Sequence, residues 1–159
     1  MNATLTQVPW SDDYWPIFKG ILGNRFADSL FPNSMDWLEN NKYILSNPAD
    51  SIVRSGIRTK IAVLSPSEKY DLWIGNEGVN SLTNKMWEVG EEYYKKYGKV
   101  EAWMGICHGW APASFMMDRP MKRVDVVAAD GKTIIPMYPA DLKSFASLLW
   151  AESGSRTRF

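Results

Sequence analysis

The residues best suited to chemistry lie between Trp103 and Ser114, where the chain's single cysteine, Cys107, stands between two glycines and two tryptophans. A helix-like run follows, and Pro112 suits the first turn of a helix better than its interior. We therefore expect Cys107 at or just before a helix N-terminus, where backbone N–H groups and the helix dipole favour a thiolate over a thiol. A thiolate there is a nucleophile, and the same N–H groups suit the oxyanion that forms when it attacks a carbonyl.

The glycines and tryptophans around Cys107 are assigned supporting roles in a cleft. Gly105 and Gly109 are expected to leave room for a substrate chain to approach the sulfur. Trp103 and Trp110 are expected to wall the cleft and keep water out.

His108 is a poor candidate for the base that would activate Cys107. Adjacent residues point about 100° apart on a helix and to opposite faces on a strand, so neither geometry brings the imidazole against the sulfur. We expect His108 to hydrogen-bond to a residue next to the site, or simply to pack. Because it is the single histidine, a nucleophilic Cys107 takes its base from another polypeptide or from sequence beyond Phe159.

The residues alone also allow a non-catalytic interpretation of Cys107. A lone free cysteine often acts as a small buried hydrophobe, with no reactive role. The local pattern therefore leaves both roles open for Cys107, that of a structural thiol and that of a nucleophile.

Composition narrows the classes of protein and of site. A chain of 159 residues with 45% hydrophobic and 23% charged side chains predicts one globular domain, residues 1–159. Eighteen basic and eighteen acidic side chains cancel, which argues against a nucleic-acid or anionic-membrane partner. Apolar runs are too short to span a bilayer, and the start of the chain carries no secretory signal pattern. One cysteine excludes an internal disulfide and a multi-cysteine zinc site.

Periodicity and turn signals predict an α+β fold with at least four helices and one β-hairpin. Ser65 and Glu68 form a capping-box pattern, and Asp130-Gly131 is a strong hairpin signal. The predicted helices lie near 21–30, over 66–74, over 82–97, in the run ending near Met117 and after Pro139, and the predicted strands cover 123–129 and 132–137. In the last helix, the expected buried stripe is Leu142, Phe145, Leu148 and Leu149.

Several ordered stretches of the chain resemble the transglutaminase-elicitor family, secreted oomycete transglutaminases with relatives in marine and other bacteria. The resemblance runs from about Pro9 to Phe159. It is carried by Gly105–Ala113, Trp15–Gly20, Asn24–Asp28, Leu64–Asp71, Asp130–Lys132 and Tyr138–Lys143.

The resemblance implies a core distantly related to papain-like cysteine proteases, with a Cys-His-Asp triad. Only Cys107 carries over, because the family's histidine and acid lie beyond the position where this chain ends. Glu101 stands where papain-like enzymes place a glutamine as oxyanion donor. The chain is therefore expected to be the N-terminal portion of the enzyme, completed by a second chain or by a missing C-terminal segment.

The same resemblance implies a protein-glutamine γ-glutamyltransferase that joins an accessible protein glutamine to lysine or another amine through a Cys107 thioester. The implied partners are the glutamine protein, the amine acceptor and a second polypeptide that supplies the histidine and aspartate. The thiol chemistry needs no cofactor, a calcium requirement is left open, and secretion is expected. The alternatives are a papain-like protease, a glutamine deamidase, and a non-catalytic binding half.

Overall fold

The structure is a computed structural model that describes residues 8–76 and 78–153. Within these residues, helices combine with a two-stranded antiparallel sheet, which confirms the α+β class. After two 3-10 turns, Ile17–Lys19 and Ile21–Gly23, the elements are α1 (Trp37–Ser46), α2 (Ala49–Arg54), α3 (Arg58–Ala62), α4 (Pro66–Ile74), α5 (Leu82–Tyr97), α6 (Cys107–Met116), β1 (Val124–Val127), β2 (Ile134–Met137) and α7 (Pro139–Ser153). Among the described helices, none has the length and apolar character needed to cross a bilayer.

The predicted bounds of α4 and α5 are confirmed, and their ends explain why. The Ser65 hydroxyl accepts the Glu68 N–H at 3.3 Å, while the Glu68 carboxylate accepts the Ser65 N–H at 2.9 Å. This reciprocal pair satisfies two backbone donors that the helix start leaves free. Gly75 and Gly98 then end α4 and α5 in the left-handed conformation that glycine adopts without strain.

The predicted hairpin is also confirmed, with strands somewhat shorter than expected. The register pairs Val126 with Ile135. Asp130 organises the turn, because its carboxylate accepts the N–H groups of Lys132 and Thr133, each at 2.8 Å. Gly131 follows at φ +70°, a conformation that favours glycine.

The prediction of a helix near 21–30 is wrong. Gly20 lies at φ +81° and Ile21 at φ +53°, so the chain turns sharply where this helix would begin, and only the 3-10 turn Ile21–Gly23 forms. The Trp87 indole fills the space beside Gly20, where a Cβ would lie 2.5 Å from the ring. Packing of this ring against the bare backbone therefore takes precedence over helix formation.

The predicted buried stripe of α7 is confirmed only in part. The buried residues of α7 are Asp141, Ser144, Ala146 and Ser147. Ser144, Ala146 and Ser147 are small enough for α6 to approach closely. Asp141 is paired with a buried lysine. Of the predicted stripe, Leu142, Phe145 and Leu148 are half-buried against the core, whereas Leu149 is 63% exposed. All four also line an open groove.

Two buried ion pairs tie α4 to the rest of the molecule. The Arg25 guanidinium donates to both carboxylate oxygens of Glu68, at 2.9 and 2.5 Å. Lys69 Nζ lies 2.7 Å from Asp141 Oδ2 and so joins α4 to α7. Burial lowers the pKa of Lys69 and raises that of Asp141, because their mutual attraction does not fully offset the loss of water.

Breaking the Arg25–Glu68 pair should destabilise the fold far more than breaking an exposed pair. Glu68→Gln leaves a buried guanidinium without its counter-charge, so we expect the free energy of unfolding to fall by about 3–5 kcal/mol. Glu91→Gln is the matched control, since Glu91 pairs with Lys95 at 2.8 Å on the exposed side of α5 and should cost less than about 1 kcal/mol. Urea unfolding of both variants measures the difference, and equal losses would contradict the assignment.

Candidate active site

The described geometry places Cys107 at the first residue of α6, as predicted. The side chain is exposed, which is the opposite of what a structural thiol packed as a hydrophobe requires. Pro112 lies inside the helix, six residues into it, so its assignment to the first turn is wrong. The helix still forms because neighbouring elements hold both of its ends.

The first turn of α6 leaves two backbone donors open next to the sulfur. Gly109 and Trp110 donate their N–H groups to the Ile106 carbonyl, at 2.9 and 3.2 Å. The N–H groups of Cys107 and His108 have no acceptor within residues 8–76 and 78–153. The unfilled donors of a helix start are a ready site for negative charge.

The backbone just before Cys107 is fixed by an early part of the chain, residues 10–17, which we call the N-terminal segment. Ile106 donates its N–H to the Tyr14 carbonyl at 2.9 Å, and Ile17 donates to the Met104 carbonyl at 2.9 Å. Pro16 and Gly105 form an antiparallel bridge between these two hydrogen bonds. The approach to the cysteine is therefore held like a strand, although it belongs to no sheet.

Trp10, at the other end of the N-terminal segment, hydrogen-bonds to residues at two points along α6. Its indole N–H donates to the Met117 carbonyl at 3.0 Å, just past the end of the helix. Its own carbonyl accepts from the Trp110 indole at 3.2 Å. Lys143 of α7 lies over the Trp10 ring, 5.6 Å from its centroid, and donates to the Ser11 carbonyl at 2.5 Å. The N-terminal segment thus contacts both helices of the site.

The expectation that Gly105 and Gly109 leave room for a substrate chain is wrong. A Cβ at Gly105 would meet the Tyr14 ring at 2.7 Å. A Cβ at Gly109 would meet the Ser147 carbonyl and the Ala151 backbone nitrogen of α7. Both glycines permit close packing of the protein's own backbone, and this packing positions α6.

The two tryptophans predicted to wall the cleft differ in their surroundings. Trp103 is 77% exposed and keeps its role as a candidate wall. Trp110 is half-buried and packs against the cluster formed by Trp10, Ala113 and Ala146. Because Trp110 hydrogen-bonds to Trp10, we assign it a role in fixing the position of α6.

His108 follows Cys107 as the second residue of α6 and is exposed. Neither its imidazole nor the Cys107 thiol makes a hydrogen bond within the described part of the chain, so the structure does not pair them. Glu101 lies 2.7 Å from Lys99 in an exposed ion pair. Among the described residues, no side chain hydrogen-bonds to the Cys107 thiol.

Asp12 is a titratable group of the N-terminal segment whose carboxyl is affected by burial. Its Oδ2 accepts the Trp15 indole N–H at 3.0 Å, and burial raises the pKa of its carboxyl above the usual range. This bond spans Asp13 and Tyr14 and joins Asp12 to Trp15. No group of three or more histidine, cysteine or acidic side chains among the described residues is arranged to hold a metal ion.

Comparison with known proteins places the chain in a family. The family model described as transglutaminase elicitor matches residues 1–159. The chain belongs to the transglutaminase elicitor family. Searches of curated proteins and of solved structures gave no match. The family is the one that the stretches around Cys107, Trp15 and Ser65 resemble.

The close contact of α6 with α7 can be tested at Gly109. Gly109→Ala forces a methyl group onto the α7 backbone, so we expect a loss of about 1–3 kcal/mol in the free energy of unfolding. Gly78→Ala is the matched control, because no atom lies within 4 Å of a Cβ there. If chemical unfolding finds both variants as stable as the wild type, α7 does not hold α6 in this way.

Proposed function

We propose that this chain is the cysteine-bearing part of a protein-glutamine γ-glutamyltransferase with a papain-like catalytic core, and that Cys107 is its nucleophile. The observation that carries the proposal is an exposed thiol at the first residue of α6, beside two unfilled backbone donors. Membership of the transglutaminase elicitor family supports the type of reaction. We also propose that the enzyme acts outside the cell, as secreted members that the chain resembles do.

In the first half of the reaction, Cys107 Sγ attacks the γ-carboxamide carbon of a protein-bound glutamine. The carbonyl π electrons move to oxygen, and the resulting oxyanion accepts the N–H groups of Cys107 and His108. When the carbonyl re-forms, the C–N bond breaks and ammonia leaves with a proton from the general acid. A γ-glutamyl thioester remains on Cys107.

In the second half, a primary amine such as a lysine side chain attacks the thioester carbon. The C–S bond breaks, the amine proton passes to the base, and the product is an amide between glutamine and the amine. Water in place of the amine gives glutamate, which is the deamidase outcome. A peptide carbonyl in place of the carboxamide gives proteolysis.

The base in this proposal comes from a second polypeptide or a further part of the enzyme. The single histidine is adjacent to Cys107 and unpaired with it. Cys107, Ala111 and Phe115 follow one another at intervals of four, so they share one side of α6. All three are exposed, with Phe115 at 58%. An exposed apolar side next to the thiol supports a covering segment that brings a histidine and an aspartate to Cys107.

The reactivity of the thiol can be measured on the chain by itself. We expect iodoacetamide to label Cys107 in the folded protein faster than it labels a model thiol near neutral pH, because helix-start donors stabilise a thiolate. Cys107→Ser is the blank that excludes labelling elsewhere. A folded-state rate no higher than that of the model thiol would favour the non-catalytic binding half.

The reaction itself is tested by incorporation of a fluorescent primary amine into casein, with the enzyme that contains both this chain and the histidine-bearing polypeptide. Cys107→Ala should abolish incorporation, whereas His108→Ala should keep most of it, because that imidazole is not the base. Mass spectrometry of the treated casein separates cross-links from new termini and from deamidated glutamine. Full activity of Cys107→Ala would exclude the proposal.

A further inference from the structure

We propose that the free edge of β1 and the apolar groove beside it form a docking site for an extended peptide that alternates apolar residues and carries one basic side chain. The peptide adds to β1 as a third strand, so its backbone pairs with the edge while alternate side chains enter the groove. The inference goes beyond the proposed transferase activity and does not depend on it.

The edge of β1 is open on the side away from β2. Ala128 donates to the Thr133 carbonyl at 2.8 Å, and the register continues this hydrogen-bonded alternation to Val126 and Val124. The backbone N–H and C=O groups of Asp125 and Val127 therefore point outward. Within the described residues these groups have no partner, and the sheet contains only β1 and β2.

The two edges of the sheet are not equivalent. Helices α3 and α4 pack against β2, whereas β1 packs chiefly on β2 alone. Pro136 in β2 stands opposite Asp125 and has no N–H to offer a further strand. An unpaired edge is a template for strand addition, and here that template is the four-residue strand β1.

The groove lies on the side of the hairpin that carries Val124 and Val126. It has a volume of about 700 Å³ and is lined by both valines, by Phe145, Leu148 and Leu149 of α7, and by Trp73 of α4, among others. Phe145, Leu148 and Leu149 belong to the stripe expected to be buried, yet Leu149 is 63% exposed, and Val124 of β1 is 47% exposed. The volume of the groove lies within the range of pockets that hold ligands.

The charge of the groove explains why the docked peptide carries a basic side chain. Glu152 is the only charged residue among those lining the groove. It makes no hydrogen bond or ion pair with any residue in 8–76 or 78–153. A lysine or arginine at one end of the docked strand would supply that missing partner, whereas an acidic side chain would be repelled.

The site is separate from the candidate nucleophile. Neither Cys107 nor His108 lines the groove. The contact between the two sites is indirect, through Ala151, which is adjacent to Glu152 in the chain and packs against Gly109 of α6. A protein held at the groove would therefore be bound without occupying the first turn of α6.

The test uses the full chain and an acetylated, amidated heptapeptide in which valine alternates with threonine and lysine ends the sequence. Titration followed by amide chemical shifts should show saturable binding, with changes concentrated in β1 and at the groove-lining residues of α7. The control peptide has the same side chains but is N-methylated at alternate residues, so it cannot pair with the edge. We expect it to bind at least about tenfold more weakly, because two or more backbone hydrogen bonds are lost.

Two variants of the protein separate the edge from the charge. Asp125→Pro removes one outward N–H and should weaken binding about three- to tenfold relative to Asp125→Ala, which loses the same carboxylate but keeps the N–H. Glu152→Gln should weaken the lysine peptide about two- to fivefold and leave a glutamine-ended peptide unchanged.

Four outcomes would overturn the proposal. Equal binding of the N-methylated peptide would show a groove that takes apolar groups without strand pairing. No saturable binding below about 1 mM would show that the edge is not a peptide site. A concentration-dependent dimer with its interface on β1 would assign the face to a second copy of the chain. Binding that appears only after removal of residues 154–159 would assign it to the chain's own end.

Discussion

The rest of the site depends on the hydrogen bonds that the N-terminal segment makes to α6 and to the backbone just before it. Residues 10–17 pair with the backbone at 104–106, immediately before Cys107, and Trp10 bonds to Trp110 and to the end of α6. A short helix interrupted by Pro112 lacks one internal hydrogen bond and is weak by itself. External hydrogen bonds at both ends compensate for this, and they leave the N–H groups of Cys107 and His108 without an acceptor in the described part of the chain. The reactive geometry is thus a consequence of contacts made by residues distant in sequence.

The glycines and small residues around α6 also fix the position of this helix. Gly105 lets the N-terminal segment lie against the backbone before Cys107, and Gly109 lets α7 approach through Ser147 and Ala151. Because α7 uses its small residues for this contact, its large apolar side chains lie on the other side, where they pack partly against the core and partly line the groove with β1. The buried Lys69–Asp141 pair anchors α7 to α4 and so fixes the helix that supports α6. The face that α7 turns toward α6 therefore determines both the position of α6 and the apolar surface of the groove.

The sequence predicted those features that local chemistry determines. The capping box of Ser65 and Glu68, the glycine ends of α4 and α5, the Asp130-Gly131 turn and the start of α6 at Cys107 all follow from residues within a few positions of one another. The failures share another cause, which is long-range packing. Nothing near Gly20 indicates that Trp87 will fill its space, and the stripe of α7 does not reveal that α6 takes the small face. Helices α1, α2 and α3 were missed although Asp36 caps α1 by accepting the Leu38 N–H, a local signal that was available. Single-residue patterns likewise gave no sign that Trp10 and Tyr14 belong to the site.

The central claim is that Cys107 and the open donors of the first turn of α6 form one acyl-binding site. A crystal structure of the chain treated with a peptide aldehyde that mimics the glutamine side chain tests this most directly, because the thiol adds to an aldehyde without an acceptor amine. The account predicts a hemithioacetal on Cys107 Sγ whose oxygen accepts the N–H groups of Cys107 and His108. An unmodified sulfur, or an adduct whose oxygen points to solvent with both N–H groups still unfilled, would contradict it.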